Sequence, residues 1–180
     1  MVKSAMVSVV AFIAILGLWW NPASAASSGE EPSTPPPVVA GADSSRNLLG
    51  PVTRAQLYSA FPGWKDRSEV YTPRTDVMEK LRASSTRVDT VVFLGTWCKD
   101  SRNEVPKFLK VYDGAANGNF TLTMYGVDRS KKDGQGLTEK YGITRVPTFI
   151  FMRDDKELGR IVEFPRSTME GDFLSIVAGK

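Results

Sequence analysis

The 180-residue chain is long enough for one domain with accessory segments, and 42% hydrophobic with 24% charged residues is the balance of a globular protein, neither a disordered chain nor a membrane bundle. Lysine and arginine number 23 against 20 aspartate and glutamate, and this formal net charge of +3 is scattered, without the basic stripe that a nucleic-acid partner requires. Histidine is absent and Cys98 is the one cysteine. That excludes histidine-dependent nucleophile pairs, histidine or thiolate metal sites and any intramolecular disulfide, leaving stability to packing.

In chain order, Met1-Val2-Lys3 carries a positive charge, Val7 to Leu18 is apolar, and Ala23-Ser24-Ala25 supplies small residues in the A-x-A arrangement. These are the three regions of a secretory signal peptide, with cleavage expected after Ala25. The apolar run is shorter than the ~20 residues a spanning helix needs, so no stable membrane anchor is expected. The expected location is periplasmic or secreted, where disulfides persist. Loss of Lys3 leaves 22 basic against 20 acidic residues. Residues 26–47 are rich in Ser, Pro, Ala, Glu and Gly, including Pro35-Pro36-Pro37, and form an expected disordered spacer.

A domain is expected over 48–180, with an N-terminal extension (48–87) and a core (88–180). Leu48 to Tyr71 mixes Leu57, Tyr58, Phe61 and Trp64 with Gly and Pro and reads as a short helix and loop. A helix with Pro73 in its first turn covers Asp76 to Leu81, and Asp89 to Gly95 is a buried strand. From Cys98 to Tyr112 the apolar Val105, Phe108, Leu109 and Tyr112 fall at helical spacing, and Pro106 should kink that helix. Phe120 to Val127 is a strand, Gln135 to Tyr141 a short helix ended by Gly142, and Thr148 to Met152 a strand. A turn at Arg153 to Lys156 leads into a strand from Glu157 to Phe164, and Met169 to Val177 is the last helix. The charged run Asp128 to Asp133 reads as a solvated turn, and Phe149, Phe151 and Phe164 as sheet packing. Alternating helices and strands followed by a hairpin make an α/β protein with a central mixed sheet.

Cys98 stands where a strand ends and a helix begins, in Trp97-Cys98-Lys99-Asp100-Ser101. A thiolate there is stabilised by unpaired backbone N–H groups and the positive end of the helix dipole. Lys99 would add to that stabilisation and Asp100 would oppose it. Ser101 occupies the place of a second thiol and could donate a hydrogen bond to the first.

Trp97 to Ser101 at a strand end, Pro106 in the following helix and Lys140-Tyr141-Gly142-Ile143-Thr144-Arg145-Val146-Pro147-Thr148 before a hairpin together resemble the thioredoxin superfamily. More closely, the chain resembles exported bacterial thioredoxin-like proteins with a W-C-x-D-S motif. The resemblance covers about Thr90 to the C-terminus and implies the thioredoxin fold. It implies Cys98 as nucleophile with Ser101 beside it, and Pro147 as a cis-proline facing the thiol. It also implies that Trp97, Val146, Pro147 and Thr148 shape the client groove, Val146 pairing with client backbone. Two positions depart from the family: Ser101 replaces the resolving cysteine, and Val91-Val92-Phe93 holds no buried acidic proton acceptor.

A single thiol can attack a disulfide and form a mixed disulfide, but release needs an outside thiol or the client's own second cysteine. The function expected is extracytoplasmic monothiol exchange, acting on client proteins or on small-molecule thiols and disulfides, without metal or cofactor. The alternatives are a redox-inactive, protein-binding thioredoxin-fold module and a Cys98-linked homodimer.

Overall fold

The computed structural model describes residues 47–179. The expected signal peptide (1–25) and, apart from Asn47, the expected spacer (26–47) lie outside the described residues.

The N-terminal extension comprises a two-residue strand β1 (Gly50–Pro51) and three helices, α1 (Arg54–Ala60), α2 (Pro62–Val70) and α3 (Thr75–Arg82). Local chemistry sets their ends. Thr53 and Gln56 form a reciprocal capping box at α1, and Pro62 opens α2, where its missing N–H costs nothing. Two helices therefore replace the single helix and loop expected over 48–71. Pro73 lies outside α3, before the N-cap Arg74, not in the first turn.

The core follows as β2 (Val88–Leu94), α4 (Lys99–Ala115), β3 (Phe120–Gly126), α5 (Leu137–Lys140), β4 (Thr148–Arg153), β5 (Lys156–Val162) and α6 (Met169–Val177). The five-stranded sheet has the order β1-β3-β2-β4-β5, with β2 and β3 parallel and the other pairs antiparallel. The helix α4 runs through Pro106 and on to Ala115, a turn past the expected end. Phe164 falls beyond β5 and is half exposed, so it is not the sheet-packing residue expected; the strand stops at Val162.

Strand pleating divides the interior in two. Val88, Val92 and Leu94 of β2 join Phe120, Met124, Phe149 and Phe151 in a large core with α2, α3, α4 and α6. Phe108 of α4 is its hub, with ring centroids 5.0 Å from Phe149, 6.1 Å from Phe151 and 5.8 Å from Phe173. On the other face Phe93, Val127, Ile143, Val146 and Ile150 form a smaller cluster against which Trp97 and Cys98 pack. The segment leading into the edge strand β1 approaches β3 so closely that a Cβ on Gly126 would lie 2.0 Å from the Leu48 carbonyl oxygen, so only glycine fits.

The extension is fastened to the core by apolar burial of Leu57 and Trp64 and by a buried carboxylate. Glu170, in the first turn of α6, accepts from the Tyr71 hydroxyl at 2.7 Å and from the Arg74 N–H at 3.2 Å. Burial pushes the Glu170 carboxyl up, but these hydrogen bonds outweigh it and hold the group below its ordinary value. Burial, then the bond to Glu170, raises the Tyr71 hydroxyl in turn.

Tyr71→Phe leaves this carboxylate short of a donor and is expected to cost about 1–3 kcal/mol in denaturant unfolding near neutral pH. The folded pKa of Glu170 lies below the unfolded one, so its contribution is present above the unfolded pKa and is lost as pH falls through the folded value. The Tyr71→Phe penalty should shrink in acid; an undiminished penalty there would contradict this account.

Candidate functional site

The central strand β2 ends at Leu94, and Gly95, Thr96 and Trp97 turn the chain into α4 with Cys98 as its N-cap, in extended conformation. The turn closes with the Cys98 N–H donating to the Gly95 carbonyl at 2.9 Å, and the helix starts with the Arg102 N–H donating to the Cys98 carbonyl at 3.1 Å. No side chain caps this end, so first-turn N–H groups of α4 are left without a side-chain partner. Gly95 permits the turn because a Cβ there would come within 2.7 Å of the Trp97 ring. The indole Nε1–H donates to the Val127 carbonyl at 3.0 Å, and the Arg129 guanidinium lies 5.3 Å from the ring centroid. Trp97 is thereby clamped from two sides.

The opposite wall is the segment before β4. The Val146–Pro147 peptide bond is cis, and the Cys98 thiol donates to the Val146 carbonyl at 3.3 Å. Val146, Pro147 and Thr148 are buried, and the Thr148 hydroxyl donates to the Arg145 carbonyl at 2.7 Å. The outward-facing Arg145 pairs with Glu163 at 2.8 Å. Cys98 itself is half buried, with its sulfur between the start of α4 and the Val146 carbonyl.

The thioredoxin family model matches residues 63–172, more than half of the chain. The chain belongs to the thioredoxin family. It is 26% identical over 87 residues to Thioredoxin-1 of Drosophila yakuba, covering 47% of this chain and 74% of that one. It is also 26% identical over 99 residues to the TPR repeat-containing thioredoxin TDX of Arabidopsis thaliana, covering 55% of this chain. The match spans about a quarter, 24%, of the length of that plant relative. Among solved structures, a protein of unknown function from Pseudomonas aeruginosa superposes with a TM-score of 0.53 at 18% identity, covering 71% of this chain and 87% of that one. At that identity the likeness is one of fold.

Within this thioredoxin fold the structure brings together Trp97, Cys98, Val146, Pro147 and Thr148. Ser101 is one turn into α4 and fully buried, but its hydroxyl accepts from the Gly95 N–H at 3.1 Å and makes no hydrogen bond to Cys98. It braces the turn that carries the thiol. Lys99 is exposed and Asp100 half buried, in the first turn as expected from spacing. Val92, in the strand before the motif, is fully buried among apolar side chains.

The charged run from Asp128 is the turn expected, with Arg129, Ser130 and Lys132 exposed, but two of its residues have partners that solvation alone does not describe. Arg129 covers Trp97, and Asp133 is buried, accepting from the Leu137 N–H at 3.2 Å ahead of α5. The Val127 carbonyl and Arg129 were not legible as site groups, because a backbone acceptor leaves no residue-type signal and a loop arginine resembles any other. Among the described residues no group of three or more Cys, Asp or Glu is placed to hold a metal.

Ser101→Ala strips the buried Gly95 N–H of its acceptor and is expected to destabilise the protein by about 1–3 kcal/mol in denaturant unfolding, a loss that a purely client-facing serine would not produce.

Proposed function

We propose that this thioredoxin-family protein is an extracytoplasmic monothiol exchange protein in which Cys98 captures disulfides. The family assignment supports a general thiol-disulfide role. The observation that carries the monothiol form is the placement of the one cysteine: half buried, at the N-cap of α4, 3.3 Å from the Val146 carbonyl. The exported location is part of this proposal and rests on the signal-like sequence of residues 1–25.

The chemistry follows from the groups in place. While Cys98 is protonated its S–H engages the Val146 carbonyl; ionisation removes that donor and frees the carbonyl to pair with an incoming backbone N–H. The thiolate sulfur attacks one sulfur of a client disulfide, the S–S bond breaks, and the second client sulfur leaves with the electron pair as a thiolate. A new disulfide links client and Cys98. Attack on it by the client's own thiolate returns Cys98 with no net oxidation, which is isomerisation. Two external thiols acting in succession instead reduce the client and are themselves oxidised to a disulfide. Trp97, Val146, Pro147 and Thr148 wall the groove, and Lys99 and Asp100 place opposite charges beside the thiol.

A second reading, a protein-binding module without turnover, is favoured by two observations: the Ser101 hydroxyl is committed to Gly95, and Val92 supplies no proton acceptor. Both functions use the same groove.

On the exchange reading, the purified protein should form a stable mixed disulfide with an aryl-disulfide peptide and release it on addition of a small thiol, as followed by mass spectrometry. Cys98→Ser should abolish capture. A rate no faster than that of a model thiol would sink the exchange reading, and peptide binding undiminished by Cys98→Ser would favour the module. A Cys98-linked dimer would show as a doubled mass lost on reduction.

A further inference from the structure

The helix α2, the residue before it and Arg102 of α4 border an open surface concavity of about 510 Å³ whose lining includes Phe61, Pro62, Trp64, Asp66, Arg67 and Arg102. Arg67 also lines a neighbouring concavity of about 400 Å³ with Asn103 and Lys107. Arg67 and Arg102 are exposed, and neither guanidinium makes a hydrogen bond or ion pair with any described residue. Of the other basic side chains nearby, Arg54 pairs with Asp113 at 2.7 Å and Lys107 with Glu104 at 2.7 Å, while Lys99, one turn before Arg102, is exposed beside Cys98 rather than in the hollow's lining. Two unpaired guanidiniums thus face one hollow that contains a single carboxylate, Asp66, and an apolar floor.

Arg102, at one edge of this hollow, stands near the thiol-bearing residue along α4. The Arg102 N–H bonds the Cys98 carbonyl, so the two residues are one helical turn apart, about 6 Å of rise. An extended polypeptide covers that distance in about two residues, and the arginine side chains extend the reach. Guanidinium presents a planar fork of donors that matches carboxylate, and Phe61 and Pro62 offer apolar surface beside it.

We propose that the hollow between α2 and α4 binds an acidic segment of the client polypeptide, about two to four residues from the cysteine that Cys98 captures. This rests on the reading of Cys98 as a capturing thiol and adds the client's charge class to it. Arg67 and Arg102 hold the client carboxylate, while Asp66 disfavours clients with a second acidic residue on its side of the hollow.

The test uses aryl-disulfide peptides identical except for Glu, Ala or Lys three residues from the cysteine. At low salt the Glu peptide should be captured about fivefold faster than the Ala peptide, the advantage expected of two exposed ion pairs, and the advantage should vanish in high salt. In the Arg67→Ala, Arg102→Ala double variant the Glu-to-Ala rate ratio should fall to about one, and Arg67→Glu with Arg102→Glu should favour the Lys peptide. Equal rates for all three peptides with the unmodified protein overturn the proposal. A second arm is independent of thiol chemistry: cysteine-free peptides are titrated into Cys98→Ser protein, with the arginine side-chain NMR signals followed. If no peptide is captured in the first arm, the exchange reading fails, while a Glu preference in the second arm, shifting the Arg67 and Arg102 signals, still sustains the acidic-segment site. No preference there overturns it, as does succinate producing the same shifts at the same concentration.

Discussion

The structure depends on the burial of β2 on both faces. It lies between β3 and β4, so its backbone is hydrogen-bonded on both edges, and its side chains feed two interiors at once. Val92 and Leu94 point into the core beneath α4, and Phe93 into the cluster beneath Trp97 and Val146. Because alternate residues face opposite ways, a one-residue slip would exchange the two sets and expose each to the wrong neighbours. The register of this strand therefore fixes where Gly95 falls, and with it the point at which the chain turns and α4 starts.

From that point the site is assembled by backbone groups more than by side chains. The Gly95 N–H is held by Ser101, its carbonyl by the Cys98 N–H, the indole by the Val127 carbonyl and the thiol by the Val146 carbonyl. Each bond joins segments far apart in the chain or braces the turn between them. The bond to Val146 orients the resting thiol, while the turn held by Ser101 and the Gly95–Cys98 bond is independent of the thiol's protonation and keeps Cys98 in place at the start of α4. The serine at the third position after Cys98 fits this arrangement as a brace, since a fully buried hydroxyl with a backbone partner rigidifies the turn.

The N-terminal extension is more than a cover for the core. Trp64 buries one side of α2 in the core and the Tyr71–Glu170 bond ties its end to α6, and α2 together with Arg102 of α4 borders the hollow holding Arg67 and Arg102. The hollow and the N-cap Cys98 thus share one helix, α4.

Much of this was legible locally. The apolar spacing of Val105, Phe108 and Leu109 marked α4, the β-branched run before Gly95 marked β2, and Trp97 to Ser101 with Val146 to Thr148 marked the family and a candidate site. Periodicity and short motifs carry such information because they report local backbone geometry and one-sided burial. Other features were decided by the tertiary structure alone: the turn of Ser101 toward Gly95, the seat of Arg129 on Trp97, the burial of Asp133 and Glu170, and the solvent-facing Phe164. For each, the outcome depends on which distant atom comes within hydrogen-bonding or van der Waals reach. Residue type determines what a side chain can bond to; only the folded arrangement determines which partner it meets.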